Sequence, residues 1–215
     1  MTSVRWQVVV GLVAAAVLAG GVPAWAGAPS DQLKARIDRA LKVLEDPELR
    51  QEGRLNDRRA AIRKVAFDTF DFRETAQRSL ARHWQGRTPA EREEFVRLFA
   101  DLLERSYIGK IELYGGERIQ YLGDTIDGAQ AAVRTRIITK QGTEIPVEYR
   151  MHRIGDRWLV YDVVIEGISL VSNYRAQFDR ILRGSSYKLL AEKLRAKQEE
   201  GLEADAATVK RASQK

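Results

Sequence analysis

Residues 158–182 read 158-WLVYDVVIEGISLVSNYRAQFDRIL-182. The stretch opens as a strand and closes as a helix. The joint between them, Gly167-Ile168-Ser169-Leu170-Val171-Ser172-Asn173, is apolar. Connections usually run over the surface and are usually polar, so an oily joint needs a role. The strand before it does not alternate. Simple parity sets Leu159, Tyr161, Val163 and Ile165 on one side and Trp158, Val160 and Val164 on the other. A strand that is apolar on both faces is covered on both faces.

Three further strands precede it at hairpin spacing, about 118–125, 131–139 and 144–153, with the fourth at 157–166. Asp127-Gly128, Gln141-Gly142 and Gly155-Asp156 supply the turns. The third strand alternates cleanly. Ile145, Val147, Tyr149 and Met151 face one way, and Glu148, Arg150 and His152 the other. Upstream the periodicity is helical. Ser30 is placed to cap a helix carrying Leu33, Ile37, Leu41 and Leu44, which ends near Pro47. Helices over 56–70 and 71–81 follow. Thr88-Pro89-Ala90-Glu91 is a capping box with proline at the first helical position. It starts a long helix with Phe95, Leu98, Phe99, Leu102, Leu103 and Tyr107 on one face. Gly115-Gly116 ends the helical half. Two helices, about 170–183 and 186–199, close a single domain spanning 30–199, and residues 200–215 read as a disordered polar tail. Helices, an antiparallel meander and helices again make an α+β domain.

The chain has 215 residues, 44% of them hydrophobic, which suits one domain. Residues 1–26 read as a cleaved secretory signal. Arg5 is the only charge before Asp31, residues 8–19 are apolar, and Gly20, Gly21 and Pro23 interrupt the run. Ala24-Trp25-Ala26 offers a cleavage site, with Ala28 as a second possibility. Such a signal implies export. With no cysteine there is neither a lipid-modified cysteine nor a disulfide, so the core alone must stabilise the fold. The formal charge falls from +6 to +5 on cleavage, because the segment holds one arginine and no acid. That balance is compatible with anionic lipid surfaces or acidic partners. No aromatic–basic pattern for stacking bases is present, and nucleic acid is not an expected partner.

Enzymatic readings find little support. Asp162 and Glu166 sit four apart on a strand, and a buried Asp serves as general base in some isomerases. An Asp beside such a joint equally accepts backbone N–H bonds and fixes the joint. His83 and His152 are the only histidines and lie far apart in the chain, which makes neither an acid–base pair nor a zinc site. No phosphate loop and no nucleophile elbow occurs. Neither a metal nor a cofactor is expected. The cluster Arg134, Arg136, Lys140, Arg150 and Arg153 is either a docking surface or a solvated strand face.

The run from Trp158 through Asp162, Glu166-Gly167-Ile168-Ser169, Asn173 and Arg175 to Phe178 resembles the signature of the Mla-type, toluene-tolerance family of periplasmic phospholipid carriers. Phe70-Asp71-Phe72 is similar to an early motif of that family. His83-Trp84 followed by Thr88-Pro89-Ala90-Glu91-Arg92-Glu93-Glu94-Phe95 resembles its loop-to-long-helix junction. The likeness runs from about Asp31 to Lys197. It implies an NTF2-like curved antiparallel sheet wrapped by helices around a lipid cavity, in the periplasm. A phospholipid would be cargo rather than cofactor. Partners would be an inner-membrane ABC transporter with a substrate-binding ring and an outer-membrane lipoprotein complex.

On that resemblance, candidate wall residues are Phe99, Leu102, Leu103 and Tyr107 of the long helix and Ile145, Val147, Tyr149 and Met151 of the third strand. Val163 and Ile165 of the fourth strand, Ile168, Leu170 and Val171 of the joint, and Phe178 complete the set. Asp162, Gly167 and Ser169 would be structural. Read without the resemblance, the same aliphatics plug the sheet end onto the last helices. Tyr161 and Tyr174 have the same two readings, and Trp84 and Trp158 pack structurally.

A lipid with two chains of about sixteen carbons gains on the order of 25 kcal/mol when its CH₂ groups leave water, at ~0.8 kcal/mol each. A carrier must therefore cover most of both chains. Because a bilayer offers nearly the same stabilisation, small docking differences decide loading and release. The alternatives are a hopanoid-binding relative, an NTF2-like enzyme using Asp162, and an interaction domain with a filled core.

Overall fold

The computed structural model describes residues 28–51 and 53–212. The expected signal segment lies outside the described residues. Six helices and five strands follow in the order α1 Pro29–Glu45, α2 Leu55–Thr69, α3 Phe72–Leu80, α4 Pro89–Glu112, β1 Arg118–Asp127, β2 Gln130–Ile138, β3 Glu144–Ile154, β4 Arg157–Ile165, β5 Ile168–Ser169, α5 Leu170–Gly184 and α6 Tyr187–Ala212. The strands form one antiparallel sheet in sequential order. The class is α+β, and the helix-wrapped meander matches the expectation.

Local chemistry explains most boundaries. At α4, Thr88 accepts from the Glu91 amide at 3.2 Å and the Glu91 carboxylate accepts from the Thr88 amide at 2.8 Å, a complete capping box. Asp71 caps α3 by accepting from the Glu74 amide at 2.9 Å. The start of α1 differs from expectation. Ala28 occupies the N-cap, Pro29 opens the helix and Ser30 lies inside it. The Ser30 amide donates to Asp124 of β1 at 3.1 Å, so a carboxylate distant in sequence replaces the local cap.

The apolar joint forms a fifth strand. Ile168 and Ser169 pair with Ile165 and Val164. The two residues between, Glu166 and Gly167, have φ of +51° and +82°, as a two-residue hairpin of the right twist requires. The closing helix α6 also differs from expectation. It extends to Ala212, through most of the segment read as a disordered tail. Its backbone crosses α4 at Gly201, where a Cβ would lie 2.5 Å from a guanidinium nitrogen of Arg105.

The core divides in two. A helical cluster joins Ala76, Leu80, Trp84, Phe95, Leu98, Phe99, Leu103, Phe178, Tyr187, Leu190, Ala191 and Leu194 from α3 to α6. Its centre is aromatic, with the rings of Phe99 and Phe178 5.2 Å apart and those of Phe95 and Phe99 5.6 Å apart. A second cluster joins Leu33 of α1 to Ala131, Val133, Met151, Trp158 and Val160 of the sheet. The buried Arg36 fastens α1 there by donating to the Trp158 carbonyl. Between the two clusters the sheet has an inner face that α1 covers only in part.

Candidate functional site

The register decides which side chains share the inner face. Directly paired residues of antiparallel strands lie on one face, so Ile119, Tyr121, Thr135, Ile137, Ile145, Val147 and Tyr149 belong together, with Val163 and Ile165 of β4. Farther along β4 the pairing slips. Arg150 faces Asp162 while Met151 faces Val160, leaving Tyr161 as an extra residue. This β-bulge reverses parity. Trp158 and Val160 therefore share the inner face with Val163 and Ile165. Leu159 and Tyr161 do not, which corrects the simple alternation. Tyr161 packs instead edge-on to His152 of the outer face, ring centroids 5.8 Å apart, under the Arg78 guanidinium at 4.0 Å.

Exposure grades along the inner face. Val160 and Met151 are fully buried beneath α1, Val163 and Tyr149 lie at the margin of that cluster, Ile165 is 39% exposed and Ile168 is 68% exposed. The inner face is thus covered at the α1 end, and its β4–β5 edge is exposed toward the end of the sheet that holds the β4–β5 hairpin and the β2–β3 turn, while Val147 beside it stays 5% exposed. Tyr149 lies deep, and burial pushes its phenol pKa up, yet its side chain keeps accessible surface. Burial also raises Tyr121, with the neighbouring Tyr149 a second cause. The Tyr121 hydroxyl is buried without a hydrogen-bond partner among the described residues. Tyr149 bonds to Thr135, whose hydroxyl also donates to the Val147 carbonyl at 3.3 Å.

A roof of helices is tied down at its rim by charge. Arg59 of α2 makes a two-pronged contact with Glu112 of α4, both bonds 3.0 Å, and Arg63 meets Glu104 at 2.7 Å. Tyr114 reaches Glu45 at the end of α1. The main neighbours of α4 are α3 and α6, not the strands. Bidentate arginine pairs hold orientation well. Two clefts run along α4. One, of about 440 Å³, is lined by Asn56, Arg59, Arg63, Glu104, Arg105 and Ile108, among others. The other, of about 340 Å³, lies against α6 and includes Leu102 and Leu194. Neither is lined by residues of the sheet.

The expected wall residues therefore scatter. Ile145, Val147, Tyr149, Val163 and Ile165 share the inner face, and Ile168 extends it. Met151 is sealed under α1. Phe99, Leu103 and Phe178 belong to the helical cluster, with Leu102, Tyr107 and Leu170 at its margin, and Val171 is buried at 2% exposure. A single helix face carried two fates here, because α4 spends its strongest apolar positions on neighbouring helices. Ile119, Tyr121, Thr135 and Ile137 were missed. The charged outward residues Arg134 and Arg136 masked the alternation of β2, although its period of two is present in the sequence.

Asp162 is 3% exposed on the outer side. Its carboxylate accepts from the Ser169 hydroxyl at 2.7 Å, the Val171 amide at 3.0 Å and Arg150 at 3.3 Å. Ser169 in turn accepts from the Ser172 amide at 3.0 Å and caps α5. These donors engage both carboxylate oxygens. His152 bonds to Asp71, 3.0 Å away, and His83 to Asp179, 2.9 Å away. Among the described residues no group of three His, Cys, Asp or Glu side chains is placed to hold a metal ion, and no helix is long and apolar enough to cross a membrane.

A family model described as MlaC protein matches residues 34–196. Toluene tolerance protein ttg2D of Pseudomonas putida is 28% identical over 93 residues, covering 40% of this chain and 42% of that protein. The intermembrane phospholipid transport system binding protein MlaC of Haemophilus influenzae is 23% identical over 137 residues, 61% of this chain and 60% of that protein. The matches span less than two thirds of either relative. A phospholipid-binding protein from Ralstonia solanacearum, solved in complex with a phospholipid, superposes with a TM-score of 0.72 at 24% identity, covering 82% of this chain and 99% of that one. That likeness is one of fold.

Proposed function

The chain belongs to the MlaC family, and from that premise we propose that it is a phospholipid carrier of the bacterial envelope, loading its cargo into the hollow on the inner face of the sheet. The carrying observation is the exposure gradient along β4 and into β5, from fully buried Val160 to Ile168 at 68%. It describes an apolar wall closed at one end and open at the other. Acyl chains enter toward Tyr149 and Val147, and the head group stays at the open end near Ile165 and Ile168. The energetics favour this arrangement, because a two-chain lipid gives up on the order of 25 kcal/mol of hydrophobic stabilisation unless most of its CH₂ groups are covered.

The carrier performs no chemical step. Asp162 orders the joint, and its carboxylate is occupied by its own neighbours. Direction of transport then comes from partners. In this reading those are an inner-membrane ABC transporter with its substrate-binding ring and an outer-membrane lipoprotein complex. The cycle maintains the lipid asymmetry of the outer membrane, and the protein works in the periplasm after its signal is removed.

Native mass spectrometry of protein expressed in a periplasm and purified without detergent tests the reading. Co-purified phospholipid near one per chain is the expected result, identified after extraction. A clean apo mass that persists after incubation with phospholipid vesicles overturns it.

A further inference from the structure

Exposed aliphatics collect at the end of the sheet that holds the β4–β5 hairpin, while Phe67 and Ile154 are exposed elsewhere. Leu113, just past the end of α4, is 81% exposed, and Ile111 in the last turn of α4 is 41% exposed. On the opposite edge of the same sheet end stand Ile165 and Ile168. Large aliphatics on loop tips facing water are unfavourable in a free protein and favourable in the boundary of a lipid layer.

Charge around these tips is arranged to match. Lys110, Arg118 and Lys140 are exposed at this end. Among the described residues neither Lys110 nor Arg118 is held in an ion pair, while Lys110 lies over the Tyr107 ring at 5.4 Å. Most acids nearby are engaged, while Glu166 at the β4–β5 turn is exposed. Glu112 is bound by Arg58 and Arg59, Glu144 by Arg136, and Glu117 accepts from the Gly115 amide at 2.8 Å beside Lys140. The end thus presents apolar tips with cations beside them.

We propose that this end, with Leu113 as its inserted residue and Lys110, Arg118 and Lys140 as its cationic rim, docks directly on an anionic bilayer surface, so that lipid passes between leaflet and hollow without crossing water. The inference rests on the carrier reading for its purpose but not for its observations. Docking by exposed aliphatics sets how deep the tips sit. The cations select anionic head groups and raise binding about fivefold each near a charged surface, an effect that salt screens.

The test is flotation of the full mature chain with vesicles of phosphatidylethanolamine containing one quarter phosphatidylglycerol, alongside native mass spectrometry of the same preparations. The wild type is expected to float at low salt and to be released at high salt. Leu113→Glu, and separately Lys110→Glu with Arg118→Glu, are expected to lower flotation about tenfold or more while retaining co-purified phospholipid. Both changes fall on exposed side chains outside the hollow. A wild type that fails to float overturns the proposal, as does equal flotation on neutral phosphatidylcholine vesicles or unchanged flotation of the variants. Binding only to envelope membranes that contain protein overturns it in favour of a protein partner at this end. If no lipid co-purifies at all, the carrier reading fails, and flotation still reports docking on its own.

Discussion

Asp162 and Ser169 face each other across the β4–β5 hairpin with the hydroxyl 2.7 Å from the carboxylate, and the same carboxylate receives the Val171 amide at 3.0 Å. One acid thereby joins the end of the strand to the first turn of α5. Replacing it by alanine leaves a buried amide unpaired and removes charged hydrogen bonds of about 1.5–3 kcal/mol. Asp162→Ala is expected to destabilise by about 3 kcal/mol and Asp162→Asn by about 1–2 kcal/mol, measured by urea unfolding. A variant as stable as the wild type would show that the joint is held elsewhere.

Glu166 occupies left-handed backbone at φ +51°, which costs a residue with a Cβ roughly 1 kcal/mol. Asparagine is preferred before glycine in such a hairpin. Glu166→Asn should raise stability by about 0.5–1 kcal/mol. A drop in the melting temperature would contradict this account of the turn.

Substitutions at Ile165 and Leu103 test wall against core. Ile165→Arg places a charge at the half-open wall, where the guanidinium reaches water. It should abolish co-purified lipid and leave the melting temperature nearly unchanged. Leu103→Arg buries a charge in the helical cluster, where Leu103 is 8% exposed, and should prevent folding. If both variants unfold alike, the inner face is a packed core and the hollow does not exist.

The two polar tyrosines of the inner face should behave differently. The Tyr121 hydroxyl has no partner among the described residues, so Tyr121→Phe is expected to be neutral or to stabilise by up to about 1 kcal/mol. Tyr149→Phe removes the bond to Thr135 and should cost about 1 kcal/mol. In alkaline titration Tyr187 resists ionisation, its phenol pushed up to about 12 chiefly by burial. It gives stability that is present below the ordinary tyrosine value of 10.0 and lost as pH rises past it. Phenolate absorbance that saturates near 10 before unfolding would refute that.

Acid acts through Asp68 and Asp179. Bonding to Arg39 holds the Asp68 carboxyl below its ordinary value of 3.8, and bonding to His83, Arg183 and Arg82 does the same for Asp179. Both sites bind protons more weakly folded than unfolded. Their stabilisation is therefore complete above that value and lost as pH falls below it. Asp179→Asn should flatten the fall of melting temperature below pH 3.8 relative to the wild type. An unchanged slope would remove Asp179 from the account. Most of these partners are exposed, so the effect is small at neutral pH.

Much was legible in the sequence by itself. The capping box at Thr88, the alternation of β3, the Gly-containing turns and the helix-then-sheet order are local signals. Each depends on residues within a few positions of one another, so composition and spacing suffice to read them. Asp162 beside an apolar joint already pointed to a carboxylate that fixes backbone. Tertiary structure decided the rest. The bulge at Tyr161 exists only because β3 sets the register of β4, and one unpaired residue exchanges the faces of every side chain beyond it. Asp124 capping α1 and Arg36 bonding the Trp158 carbonyl join positions about a hundred residues apart, with no mark in either local segment. Which apolar residues stayed exposed on the inner face and which were buried followed from where α1 and α4 found their neighbours. Burial is a property of the assembled layers, and a hydrophobic side chain reads the same in the sequence whether its partner is another side chain or a lipid.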